Sequence, residues 1–177
     1  MSSKTSVTFV STVDDGSCGI GTYTGGLERA LDMHSFSNSK VTMPLGSPNP
    51  IDYLRAAVTA GVANTDVVHV QHEYGIFGSK SIYSWVFFPV LYLLCFLTRK
   101  EVVTTLHSAW TPAMISPPLR LVKRVYVWLN NTMLVHTNNH LIFLSDNARD
   151  KFTASVKVPD ESYTVYPHGV PTDTSEL

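Results

Sequence analysis

Residues 66–78 read DVVHVQHEYGIFG. Val67, Val68 and Val70 make an almost unbroken β-branched run between Asp66 and Gln71. Such a run predicts a strand covered on both faces, as in a parallel sheet. It ends in His72-Glu73-Tyr74, and Gly75 and Gly78 mark a loop that turns sharply. Working outward, residues 6–13 (SVTFVSTV), 41–43, 101–106 (EVVTTL), 140–144 (HLIFL) and 163–166 read as further strands. Between them lie helical patterns. Leu27, Ala30, Leu31 and His34 share one face, as do Ile51, Leu54, Val58 and Val62 after an Asn49-Pro50 start. Residues 82–97 form an apolar helix. Leu119, Val122, Tyr126, Leu129 and Met133 recur by threes and fours after Pro117-Pro118, and Ser145 caps a short helix over 146–154. Strand–helix alternation of this kind predicts an α/β, Rossmann-like, doubly wound and mostly parallel sheet of about six strands, with helices on both faces.

The composition agrees with one globular domain. The 177 residues include 44% apolar and only 15% charged types, which excludes a disordered chain. Thirteen Lys+Arg against 14 Asp+Glu gives a net charge of −1, without the basic excess of a nucleic-acid binder. Cys18 and Cys95 stand far apart and outside any CxxC or His-paired cluster, so neither a zinc site nor a disulfide framework is legible. The reducing cytosol is the default compartment. No secretory leader is visible in the opening residues. The run from Ile82 to Leu97 has 16 residues and contains Pro89. That is short of the roughly 20 needed to span a bilayer, so it reads as a buried helix, with membrane contact as the other reading.

Ligands in such sheets collect beyond the carboxyl ends of the strands, so chemistry is sought there. The first strand runs into Asp14-Asp15-Gly-Ser-Cys-Gly-Ile-Gly21. Glycine backbone admits close approach, and the following helix offers free N–H groups to an anion, so a phosphate or diphosphate is the natural guest. A dinucleotide fingerprint does not fit, because after Gly19 and Gly21 the next glycine, Gly25, comes one residue late. Gln71, His72 and Glu73 offer paired hydrogen bonds to sugar hydroxyls, or a proton shuttle at His72. His107 ends the fourth strand, where a side chain enters the crevice. His69 reads as a core histidine, and His136 and His140 as residues near a helix end. Cys18 reads as a small residue chosen for room, or as a nucleophile at a helix N-terminus.

GIGTYTGGLERAL after the first strand, DVVHVQHEYGIFG, VVTTLHS, LIFLSDNARDKF and the closing YTVYPHGVP follow one another across nearly the whole chain. In this order and rough spacing they resemble the N-terminal domain of family 4 glycosyltransferases. The resemblance implies the first half of a GT-B fold, in which two Rossmann-like domains face each other across a cleft. It implies metal-independent transfer of a sugar from a nucleotide-sugar, with retention, to a glycan or lipid-linked acceptor. No cofactor is implied, since the nucleotide-sugar is a co-substrate. Carried over, Gly19, Ile20 and Gly21 face the donor diphosphate. Gln71, His72, Glu73 and Tyr74 line the acceptor site, and His107 is catalytic. His168 and Gly169 match the interdomain linker.

The division expected is an acceptor-side domain over 1–166 and the start of a linker over 167–177. The family's donor-binding second domain carries a Glu-x7-Glu pair. The glutamates here are Glu28, Glu73, Glu101, Glu161 and Glu176, and none of them has that spacing. The expectation is therefore an incomplete enzyme, inactive alone, that needs its missing C-terminal domain in cis or in trans. It should also expose an apolar strip where the cleft wall meets that domain. A non-catalytic Rossmann-like binding or scaffold module is the alternative, and a cofactor-dependent oxidoreductase a more distant one.

Within residues 99–124 stand Arg99, Lys100, Arg120, Lys123 and Arg124, against the single acid Glu101. Basic-plus-apolar helices can sit on anionic lipid, while an ordinary solvated helix face is the plainer reading. Together with the resemblance, this places the expected site of action in the cytoplasm, with contact to the cytoplasmic face of a membrane through residues 99–124. No nucleic-acid partner is expected.

Overall fold

The computed structural model describes residues 4–16, 18–34, 36–111 and 118–167. Strand β1 (Ser6–Ser11) feeds helix α1 (Gly19–Met33), β2 (Ser37–Thr42) feeds α2 (Pro50–Val62), and β3 (Val67–His72) feeds α3 (Ser84–Thr98). Then β4 (Glu101–Leu106) leads to α4 (Arg120–His136), and β5 (His140–Phe143) to α5 (Asp146–Thr153) and β6 (Tyr163–Val165). The six strands form one sheet in the order β2-β1-β3-β4-β5-β6, and every neighbouring pair is parallel. The chain is thus an α/β protein with a doubly wound sheet. His168 and Gly169 lie outside the described residues, as does all of the expected linker except Pro167.

The strand order fixes which helix covers which face. The chain leaves β1 towards β2 and then returns past β1 to β3. Right-handed crossovers therefore put α1 on one face and α2 to α5 on the other. The main core lies under α2 to α5. Val68, Val70, Val102, Leu106 and Phe143 from the strands meet Tyr53, Phe87, Leu91, Leu134 and Phe152 from the helices. Each fully buried Phe or Leu contributes about 1.5–3 kcal/mol relative to exposure, so this layer dominates stability.

Local chemistry sets the helix ends. Asn49 accepts from the Ile51 N–H at 3.1 Å, and Pro50 occupies the first helical turn of α2. Arg99 closes α3 in the left-handed region at φ 57°, and the Lys100 N–H returns to the Cys95 carbonyl. The Lys100 ammonium then donates to the carbonyls of Gly61 and Ala63, where α2 ends. At Gly61 a Cβ would sit 2.7 Å from the Leu94 side chain, so glycine is what lets α2 and α3 lie so close.

Three helices face differently from the periodicity reading. In α2 the residues turned inward are Tyr53, Ala56, Ala57, Ala60 and Gly61, while Ile51, Leu54, Val58 and Val62 are exposed. In α4 the inward residues are Val127, Asn130, Asn131 and Leu134, while Leu119, Val122 and Leu129 are exposed. In α1 the buried residues are Gly21, Thr24 and Gly25, not the Leu27–His34 face. Small and polar residues pack inward because short helix-to-sheet and helix-to-helix distances demand them. Asn131 accepts from Tyr74 Oη at 2.8 Å and donates to Ser155 Oγ at 2.8 Å, whereas Asn130 accepts from Ser84 Oγ at 2.9 Å and its amide nitrogen finds no partner among the described residues.

Among the described residues no helix is long and apolar enough to cross a membrane.

Candidate functional site

The strand order reverses between β1 and β3. Their loops leave to opposite faces, so a crevice opens at the carboxyl ends of these two strands. The residues singled out from the sequence divide sharply around it.

On the β1 side, the glycine stretch is already helical. Helix α1 begins at Gly19, with Cys18 as an extended N-cap that makes no side-chain cap bond. The two glycines do different work. A Cβ at Gly21 would lie 1.9 Å from the Val13 carbonyl oxygen, so this position is glycine because α1 crosses the exit of β1 in contact with its backbone. A Cβ at Gly19 would meet nothing within 4 Å, and Gly19 is exposed. Gly19 is thus the open edge of the turn, and Ile20 leans back onto the core. The first N–H groups of α1 have no partner within the helix and favour negative charge. Cys18 reports this field. Burial works to raise its thiol, but the polar groups beside it, the Thr12 side chain and the Ile20 and Gly21 N–H groups, outweigh that and hold it below its ordinary value.

On the β3–β4 side, alternation puts His69, Gln71, Thr105 and His107 on the face that carries α1. They form a connected chain. Gln71 Oε1 stands 2.8 Å from His107 Nε2, Gln71 Nε2 stands 3.4 Å from His69 Nε2, and His69 Nε2 stands 2.8 Å from Thr105 Oγ1. With the Gln71 carbonyl accepting from His107 Nε2, its amide turns towards His69 at the longer distance, and His69 and Thr105 share the shorter hydrogen bond. Burial, with the nearby His107 charge second, pushes His69 down to about 4, so it is neutral at physiological pH. Tyr23 of α1 closes the group, its ring edge-on to His107 at 5.3 Å between centroids. One turn of helix separates Tyr23 from Gly19, so the α1 terminus and His107 border the same crevice.

His72 and Tyr74 do not join them. His72 points to the opposite sheet face and is fully buried. Its ring stacks on Phe77 at 5.1 Å and lies edge-on to Tyr74 at 4.8 Å. Among the described residues neither ring nitrogen has a hydrogen-bond partner. Burial pushes it down to about 3, so it is a neutral aromatic of the core to which a ligand has no access. Tyr74 lies flat against Trp110 at 4.3 Å and donates to Asn131, and burial raises its phenol. Glu73 stays half-buried in extended backbone, ahead of a short 3-10 turn over Tyr74–Phe77. Of the four residues expected to line an acceptor, Gln71, His72 and Tyr74 are fully buried and Glu73 alone keeps exposed surface; Gln71 acts on the crevice through its bond to His107.

Sequence reading missed Tyr23, Thr105 and the contact partners of His69. The signal was present. Residues 69 and 71, and 105 and 107, share a face by the two-residue period of a strand, and Tyr23 follows Gly19 by one helical turn. His136 and His140 do flank the end of α4, and His140, the first residue of β5, bonds Thr164 Oγ1 across to β6 at 2.6 Å. A separate depression of about 450 Å³ lies between α5 and β6, lined by Arg149, Lys157 and Tyr163. It is remote from the crevice in the sheet order, and Arg149 is already paired with Asp146 and Asp150. Among the described residues no three His, Cys, Asp or Glu side chains gather to hold a metal ion.

Neither the family-model scan nor the comparison with curated proteins finds a match for this chain, so the family resemblance rests on its motifs alone.

Proposed function

We propose that the chain is the acceptor-side domain of a retaining glycosyltransferase of the GT-B type, acting on a nucleotide-sugar together with a second, donor-binding domain. The observation that carries this reading is the meeting of Gln71, His107 and Tyr23 beside the N-terminus of α1 at the strand-order reversal. In the proposed reaction the bond between anomeric carbon and diphosphate breaks, the acceptor oxygen bonds to that carbon on the same face, and its proton passes to the departing diphosphate, which takes up negative charge as it leaves. The N–H groups of Gly19, Ile20 and Gly21 are aimed to stabilise that charge without reorganising. Gln71 holds the His107 ring in one tautomer and orientation. His107 and Glu73 then offer hydrogen bonds to the hydroxyls of sugar or acceptor, and Tyr23 walls the site. No cofactor takes part.

The test joins the chain to a donor-binding domain of a matching enzyme and measures sugar transfer. His107→Ala should lower turnover by about 10²-fold or more, the scale of a lost transition-state donor. Gln71→Ala should lower it less. An unchanged rate in His107→Ala removes that residue from the mechanism.

A second reading has an observation of its own. Three of the four expected acceptor residues, Gln71, His72 and Tyr74, are fully buried, as expected if the fold serves as a non-catalytic binding module. Isothermal titration with nucleotide-sugars separates the two, since a scaffold gives no heat with any of them.

A further inference from the structure

Helices α3 and α4 carry their apolar surplus on the outside. Ile82, Trp85, Tyr92, Leu93, Phe96 and Leu97 form an exposed stripe on α3 and the turn before it. Leu121, Val122, Val125, Trp128 and Leu129 form another on α4. Phe96, Leu97 and Leu121 are 68%, 67% and 74% exposed, values that solvent-facing large apolar side chains seldom reach side by side. The inner face of α4, by contrast, carries Asn130 and Asn131. A helix that buries two asparagines beside Val127 and Leu134 yet exposes five large apolar side chains suits an outer environment less polar than water.

The two helices are neighbours. Trp85 meets Tyr126 at 6.3 Å, and Tyr126 Oη donates to the Lys80 carbonyl at 2.8 Å. Both run antiparallel to the strands they connect, so their stripes lie side by side. Charge decides what covers them. Neither helix contains a carboxylate, and Glu101 is the one acid between residues 82 and 137. Exposed Lys80, Arg120 and Arg124 border the stripe at its start, and exposed Arg99 borders it at the end of α3. An apolar field rimmed by cations at both ends, with Glu101 as the single acid beside Arg99, complements an anionic lipid surface. A second copy of the chain would set these cations against one another across a two-fold axis.

We infer that the outer faces of α3 and α4 dock the chain on an anionic bilayer. The apolar stripes enter the acyl boundary, and Arg99, Arg120 and Arg124 meet lipid phosphates.

The experiment uses the 177-residue chain and two vesicle preparations, phosphatidylcholine alone and phosphatidylcholine mixed with phosphatidylglycerol. Flotation should recover the chain with the mixed vesicles and not with phosphatidylcholine alone, and added salt should weaken binding. Of the three tryptophans, Trp85 and Trp128 lie on the stripe and Trp110 stacks on Tyr74. Brominated phosphatidylglycerol should therefore quench Trp85 and Trp128, and Trp85→Phe with Trp128→Phe should abolish that quenching. The exposed pair Arg120→Gln and Arg124→Gln should weaken affinity roughly 25-fold, about fivefold per cation, with unchanged circular dichroism. Three results overturn the inference: no flotation on anionic vesicles, equal binding to neutral ones, or a stable dimer that Trp128→Ser dissolves. None of these readouts involves sugar transfer, so the inference stands or falls apart from the proposed function.

Discussion

His72 makes the sharpest test of the structure through acid sensitivity. Its ring is fully buried against Phe77, Tyr74 and Phe88, both nitrogens lack partners among the described residues, and burial pushes its pKa down to about 3. In the unfolded chain a histidine titrates near 6.5. The folded value lies below the unfolded one, so protons favour the unfolded state. Stability is complete above pH ~6.5, falls as pH drops through that value, and levels off near the folded pKa. Integrating between the two values, His72 costs about 0.2 kcal/mol at pH ~7 and about 2 kcal/mol at pH ~5. His69, pushed to about 4, adds about another 2 kcal/mol at pH ~5.

The perturbation is His72→Phe, which keeps the aromatic contacts and removes the titration. Its larger ring brings about 1–3 kcal/mol of overpacking, but that strain is the same at both pH values. Urea unfolding at pH ~7 and ~5 therefore reads the difference cleanly. The variant should lose about 2 kcal/mol less than wild type between the two conditions. The carboxylates contribute equally to both proteins and cancel. Parallel pH profiles for the two proteins would refute a buried, neutral His72 and return it to the crevice.

Other outcomes follow from the same geometry. Gly19→Ala should unfold like wild type, whereas Gly21→Ala, with its Cβ driven into the Val13 carbonyl, should lose about 3 kcal/mol or more in denaturant titration. Cys18, held below its ordinary pKa at the helix start, should be alkylated by iodoacetamide well before Cys95, which burial pushes up to about 11; mass spectrometry of partly modified protein gives the order. Lys100→Met removes the ammonium from the carbonyls of Gly61 and Ala63 and should cost about 1–3 kcal/mol by thermal unfolding. Asn131→Ala strands the hydroxyl of Tyr74 and should cost about 1–3 kcal/mol, with the near-ultraviolet signal of the Tyr74–Trp110 stack weakened.

The valine run of residues 67–70 and the alternating strands and helices around it made the sheet class legible, because parallel strands need a continuous apolar strip and crossover helices. Most elements fall close to their sequence-derived positions, but β2 runs Ser37–Thr42 where only 41–43 read as strand, since its polar SNSK half carries no apolar signal. The start of α1 differs too: glycines signal a loop, yet Gly19 and Gly21 are inside the helix, since close contact with the β1 exit favours glycine more than helix propensity disfavours it. Helix orientation was the larger miss. Periodicity marks an apolar stripe without saying whether it faces the sheet, and Ile51, Leu54, Val58, Val122 and Leu129 face outward. The apolar strip expected at a cleft wall is found on the helical layer instead. At the site, His107 and Gln71 were legible from strand ends alone. His72 was not, because adjacent residues on a strand point to opposite faces, and its neighbour Gln71 took the crevice side.

The central claim is one groove, shared by the N-terminus of α1 and His107, that accepts the diphosphate of a nucleotide-sugar. Nuclear magnetic resonance on the isotope-labelled chain tests it most directly. Nucleoside diphosphates and nucleotide-sugars are titrated to millimolar concentration while the Gly19, Ile20 and Gly21 amides and the His107 ring are followed. The account predicts that these signals shift together along one weak, saturating curve, and that His107→Ala leaves the amide shifts in place. Shifts confined to other surfaces, or none with any nucleotide, would contradict it.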